Sequence, residues 1–151
     1  MPSETEDRLA REETFHDEWA SSTPVDKVMV RPAFESFVAM ENRLCLELMS
    51  PLAGKRVLDL GTGLGEAAVY FALQGSQVTA VDVSPAMVET ASRVAAHHGV
   101  EIEGIVSPLE ELEVPAESFD VVYGANVLHH VGDIEATLAR VQQALVPGGL
   151  C

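Results

Sequence analysis

A glycine-rich turn set between a short β-branched run and a helix is the strongest constraint in this chain. Residues 56–60 read Arg-Val-Leu-Asp-Leu, and Gly61-Thr62-Gly63-Leu64-Gly65 follows at once, ahead of a helical stretch over 66–73 that Gly75 stops. Glycines at alternate positions let the backbone turn tightly and approach a ligand where a Cβ would clash. Beyond this turn the same rhythm repeats. Residues 77–83 form a second apolar run, and Ser84 is a helix N-cap with Pro85 at the first helical position. That helix reaches His98, with Gly99 past its end, and strands are expected over 100–106 and 119–127. Asp133 caps a last helix, which Pro147-Gly148-Gly149 is expected to end. Strands apolar on both faces that alternate with helices predict an α/β fold, a doubly wound parallel sheet between two helical layers.

Upstream, Pro32 opens a helical pattern carried by Phe34, Phe37, Val38, Leu44 and Leu48 and ended at Ser50-Pro51. Residues 1–31 are polar, without clear periodicity, and read as a mobile, partly helical acidic arm ahead of a core over 32–151, with Phe15 and Trp19 able to dock a short helix onto that core. Within the arm, Phe15 and Trp19 stand at helical spacing and suit a cover over a ligand. At the other end, Leu150-Cys151 falls where a fifth strand is due, so the sheet is expected to be cut short after its fourth strand. The fourth strand would then present an open edge, through which a second copy of the chain could associate.

The 151 residues suffice for about one domain with a genuine core, and 47% of them are hydrophobic. The balance of 24 Asp and Glu against 9 Lys and Arg gives a net charge of −15. Such a surface repels nucleic-acid backbones and anionic membranes, which makes both poor partners. No apolar run approaches the roughly 18 residues needed to span a bilayer. Cys45 and Cys151 make neither a disulfide framework nor a metal cluster, and a cytoplasmic setting is expected.

The second half of the ligand signal is Asp82, at the end of the second strand and about 20 residues past the loop, where a carboxylate accepts two hydrogen bonds from a ribose diol. Its alternative role, capping the next helix, is already filled by Ser84. Loop and acid together place an adenosine-type cofactor across the tips of strands one and two. A nicotinamide dinucleotide needs a pyrophosphate at the helix N-terminus and G-x-G-x-x-G spacing. Here the spacing is G-x-G-x-G, Glu66 takes the position of the last dinucleotide glycine, and Asp59 adds a second negative charge. That loop suits a ligand with an ammonium and a sulfonium better than one with phosphates.

These residues resemble the class I S-adenosylmethionine-dependent methyltransferases. DLGTGLG (59–65) is similar to the family's first motif and VTAVDVSPAMVETA (78–91) to its second. FDVVYGANVLHHV (119–131) is similar to the fourth-strand motif, and LARVQQALVPGGL (138–150) to the helix and turn before strand five. The resemblance covers 54–150 and implies a Rossmann-like fold, S-adenosylmethionine as cofactor, and methyl transfer to a small-molecule acceptor. It implies cofactor contacts at Asp59, Gly61, Thr62, Gly63, Gly65, Asp82, Val83, Met87 (near the adenine), Leu109, Ala125 and Asn126. The family's adenine-binding acid falls on Pro108, which cannot replace a carboxylate's hydrogen bond, with Ser107 as the neighbouring polar group. Adenine recognition is therefore expected to be weaker by about 1 kcal/mol.

Methyl transfer from a sulfonium needs no oxyanion hole and no covalent enzyme intermediate, and positioning supplies much of the rate. A base helps only where the acceptor must lose a proton. His129 and His130, just past the fourth strand, are the candidates, with no partner acid identifiable. His16-Asp17-Glu18-Trp19 reads as a solvated polar segment with no metal, and Glu110-Glu111 with Glu113 as a solvated loop face. A cofactor-binding module without turnover is the alternative function, ahead of a nicotinamide-dependent oxidoreductase.

Overall fold

The computed structural model describes residues 4–151. Five strands, β1 (Arg56–Leu60), β2 (Gln77–Asp82), β3 (Glu103–Val106), β4 (Phe119–Gly124) and β5 (Leu145–Leu150), form one sheet in the order β3-β2-β1-β4-β5, with every pairing parallel. The helices are α1 (Glu4–Ser22), α2 (Pro32–Glu35), α3 (Met40–Met49), α4 (Glu66–Leu73), α5 (Pro85–His97) and α6 (Ile134–Ala144). Helices α4 and α5 follow β1 and β2 outward to the β3 edge. The chain then returns to lay β4 on the other side of β1. The order reverses between β1 and β4, and in open α/β sheets that switch point opens a crevice beyond the strands' carboxyl ends.

Period-two alternation divides the core between the two faces. Val57, Val78, Ala80, Val121 and Tyr123 join Val69 and Phe71 of α4 and Met87, Val94 and Ala95 of α5. Leu58, Leu60, Val81 and Val122 face the other way and pack with Val141 and Ala144 of α6 and Leu109 and Leu112. The caps are as expected. Ser84 Oγ accepts from the Met87 amide at 3.0 Å, and Asp133 Oδ1 from the Ala136 amide at 2.9 Å.

Four expectations are corrected. First, the helix expected to be short runs over 19 residues, 4–22, and packs beside α5, with Asp17 accepting from Ser84 Oγ at 2.5 Å. Phe15 and Trp19 are its one local signal, and its apolar residues are too few to give its length. Second, the helical pattern from Pro32 is broken. Ser36 turns extended (φ −66°, ψ 152°), and Phe37 and Val38 are 87% and 85% exposed. Third, the sheet does not stop at β4. Helix α6 ends at Ala144, ahead of the Pro147-Gly148-Gly149 expected to end it, and residues 145–150 form β5 along β4. The register runs from Phe119↔Leu145 to Val121↔Leu150, so the Pro-Gly-Gly segment bulges, as an edge strand tolerates. The β4 edge is therefore taken by β5 and not left open as expected. Fourth, β3 and β4 are shorter than expected, since Ala125 and Asn126 have left the strand and Asn126 adopts φ +54°.

Candidate functional site

A cavity of about 530 Å³ opens at the switch point. The glycine turn forms one wall, with Gly61, Thr62, Gly63, Glu66 and Asp59 all lining it. The three glycines do three different things. A Cβ on Gly61 would lie 2.3 Å from Val127, and one on Gly65 2.7 Å from the Ala91 Cβ of α5, so both permit close packing. Gly65 does not line the cavity and serves the α4–α5 contact, not a ligand. Gly63, at φ +55°, has no atom within 4 Å of where its Cβ would stand. Its bare main chain faces open cavity, a cradle that a side chain would fill.

Asp82 is 6% exposed and spans the two halves of the signal. Its Oδ2 accepts from the Gly63 amide at 2.9 Å and its Oδ1 from the Ser84 amide at 3.0 Å. Asp82 thus ties the glycine turn to the residue that opens α5, an anchoring role the sequence did not announce, while Ser84 remains the helix cap as expected. Val83, Leu109, Ala125 and Asn126 line the cavity as expected. Met87 does not. Its side chain is fully buried in the core beneath α5, where the helical register turns it inward. Pro108 also lines the wall, and the Ser107 hydroxyl beside it donates to the Pro108 carbonyl at 2.9 Å.

The electrostatics are one-sided. Asp59 is 1% exposed and accepts from Thr62 Oγ1 at 2.7 Å. Burial pushes its carboxyl up to about 7, the Thr62 hydroxyl opposes this, and the charges of Glu66 and Asp82 add to it. Burial likewise raises Glu66. Three carboxylates crowding one wall favour a cationic ligand and disfavour a pyrophosphate. Arg8 is the one Lys or Arg among the lining residues, and Glu110 already pairs with it at 2.5 Å. Tyr123 lines the cavity as well, but its hydroxyl donates to Asn42 Oδ1 at 3.2 Å. Burial pushes that phenol up to about 12, so it stays protonated and is no base.

The match to known proteins agrees with this geometry. Residues 57–149 match the family described as the methyltransferase domain. The chain belongs to the class I S-adenosylmethionine-dependent methyltransferases. Among curated relatives, this methyltransferase domain is 43% identical over 101 residues to the ubiquinone biosynthesis O-methyltransferase of Methylocella silvestris. That match covers 66% of this chain and 39% of the relative, so the domain spans about two-fifths of its relatives' length. Among solved structures it is similar to the YcgJ protein of Bacillus subtilis, with TM-score 0.67 and 31% identity over 72% of this chain and 48% of that one. It is also similar to an S-adenosylmethionine-dependent methyltransferase of Mesorhizobium loti, with TM-score 0.64 and 31% identity over 83% and 53%.

Helix α1 forms the remaining wall through Arg8, Leu9, Glu12, Phe15, His16 and Trp19. Phe15 and Trp19 do border the ligand space, as their spacing suggested. His16 is no part of a solvated segment, since its Nδ1 is buried and without a partner among the described residues. Glu110 is not a solvated loop residue either, being held by Arg8 inside the wall. His129 and His130 both line the cavity. The acid that sequence reasoning missed is Glu12, whose carboxylate lies 3.0 Å from His130 Nδ1. The two are 118 residues apart, and no spacing rule links them.

Proposed function

We propose that this methyltransferase domain binds S-adenosylmethionine across the tips of β1 and β2 and methylates a small-molecule acceptor held beneath α1. The observation that carries the reading is the cavity wall on which the bare Gly63 main chain stands beside Asp59, Glu66 and Asp82. Asp59, fixed by Thr62, would meet the ammonium at the amino-acid end of the cofactor, and the missing side chain at Gly63 would let that end approach the main chain closely. Asp82 would clasp the ribose diol, and Val83, Pro108 and Leu109 would flank the adenine. Ala125 and Asn126 would border the methionine chain. When bound, the cofactor supplies an electrophilic methyl carbon and a neutral thioether leaving group. The protein's contribution is to orient the acceptor in line and to exclude water.

A small acceptor is supported by the limited space beside α1 and by the relatives named as ubiquinone biosynthesis O-methyltransferases. The net charge of −15 weighs against nucleic acid. No helix among the described residues is long and apolar enough to cross a membrane. The unpaired Cys45 and Cys151 fit work in the cytoplasm.

Calorimetry with S-adenosylmethionine and with NADH, followed by transfer of a labelled methyl group to an acceptor panel, tests the reading. Binding of S-adenosylmethionine alone, with labelled product, is expected. Binding without product across the panel would favour a cofactor-binding module, and NADH binding alone would replace the reading altogether.

A further inference from the structure

Cofactor binding leaves one group of titratable side chains unused: Glu12 and His16 from α1, and His129 and His130 from the short turn after β4 (Leu128–His130). We propose that His130 is the base that takes the proton from a phenolic acceptor, and that Glu12 is the positioning residue that aims it. This rests on the methyl-transfer reading above and names the acceptor class for it.

Both carboxylate oxygens of Glu12 approach His130 Nδ1, Oε1 at 3.1 Å and Oε2 at 3.0 Å. An ionised carboxylate only accepts hydrogen bonds, so in the neutral ring Nδ1 carries the proton and Nε2 carries the lone pair. No protein group among the described residues occupies Nε2, and His130 lines the cavity. His129 lies against it, with ring centroids 3.9 Å apart, but no carboxylate among the described residues holds that ring. The arrangement therefore separates two adjacent histidines by function.

Arg8 makes the aim rigid. It donates to the His130 main-chain carbonyl and pairs with Glu110 at 2.5 Å, which ties α1 to the turn that carries the imidazole. It also occupies Glu110, so that this second carboxylate does not compete for the ring. The charged and titratable groups around His130 are thus Arg8, Glu12 and His16 from α1, His129 on its own turn, and Glu110 from the turn at Leu109–Glu111. His16 Nε2 stands 3.5 Å from the same Glu12 Oε2 that lies 3.0 Å from His130, and the two imidazoles meet edge to face with centroids 6.1 Å apart.

The chemistry selects the acceptor. A neutral aryl amine or thioether attacks a sulfonium methyl through a lone pair it already has, whereas a hydroxyl must lose its proton at or before transfer. A phenol, with an ordinary pKa near about 10, is within reach of an imidazole, and a saturated alcohol is far less so. Phe15 and Trp19 on the same wall offer flat apolar faces to an aromatic ring. In the step, the O–H bond breaks and its proton passes to Nε2. The phenolate oxygen forms its bond to the methyl carbon as the carbon–sulfur bond breaks, with that pair going to sulfur. The imidazolium is left facing the Glu12 carboxylate.

The test compares His130→Ala, His129→Ala, Glu12→Gln and Glu12→Ala with the parent chain, using catechol and a nitrocatechol already ionised at the assay pH. S-adenosylmethionine affinity is expected to stay within about twofold throughout, since none of these residues holds the cofactor. His130→Ala should lose roughly 100-fold or more on catechol and far less on the nitrocatechol, as loss of a general base requires. Glu12→Gln should lower the catechol rate about tenfold and leave the nitrocatechol rate nearly unchanged, a split that a merely structural contact would not cause. Independently of turnover, imidazole nitrogen chemical shifts should show His130 as the Nδ1–H tautomer in the parent and as a mixture in Glu12→Ala. Equal losses on both phenols in His130→Ala, a larger loss in His129→Ala, or an unchanged tautomer in Glu12→Ala would each overturn the proposal. A parent chain that binds S-adenosylmethionine but methylates neither phenol overturns the acceptor class. A parent that fails to bind it removes the underlying methyl-transfer reading instead.

Discussion

Asp82 Oδ2 accepts the Gly63 amide at 2.9 Å, which joins the tip of β2 to the middle of the glycine turn after β1. The acid proposed for the ribose is thus held in place by the loop proposed for the amino-acid end. Asp82→Ala is expected to weaken S-adenosylmethionine binding by about 2 kcal/mol, or roughly 30-fold in Kd, through loss of charge-assisted hydrogen bonds. Calorimetry reads this directly, and an unchanged Kd would dissociate Asp82 from the ribose.

Two glycines in one turn should fail in opposite ways. Gly63→Val places a side chain in open cavity, so it should abolish cofactor binding at the cost of about 1–2 kcal/mol of left-handed backbone strain. Gly65→Val drives a side chain into Ala91 of α5 and should lower Tm far more. Thermal melts and binding isotherms of the two variants separate a ligand-facing glycine from a packing one.

Asp59 makes stability depend on pH in an unusual direction. Its carboxyl is raised by burial to about 7 in the folded chain, against an ordinary 3.8, so the folded state holds the extra proton between those values. Unfolding stability from this group therefore falls as pH rises from about 4 to about 7, and the full cost is present above 7. Asp59→Asn should be near neutral at pH 4 and should raise Tm by several degrees at pH 8, at about 2–4 °C per kcal/mol for a chain of this size. If a cofactor ammonium sits against Asp59, binding releases a proton below pH 7, and titrations in buffers of different ionisation enthalpy will detect it.

Proline at 108 leaves the expected adenine wall without an acid. Pro108→Asp, in a residue already extended at φ −59° and ψ 142°, should tighten S-adenosylmethionine binding by about 1 kcal/mol, close to fivefold. Unchanged affinity would place the adenine elsewhere along the wall.

The pattern of residues 56–144 made most of the central sheet legible. Period-two apolar runs, the alternate glycines at 61, 63 and 65, and the caps at Ser84 and Asp133 are local signals, each acting within a few residues. Asp82 was legible for the same reason, at a fixed separation from the loop. Met87 was misjudged because the second motif gives its position along the helix but not which side of the helix meets the core.

By itself, then, the sequence determined the class of fold, the glycine turn and the acid that faces it, because hydrogen-bond periodicity and φ preferences are short-range. Only the tertiary structure decided that residues 4–22 close the cavity, that residues 145–150 cover β4, and that Glu12 meets His130. Those contacts join segments more than a hundred residues apart or depend on an edge left open by another strand, and no local propensity encodes a partner across such a distance.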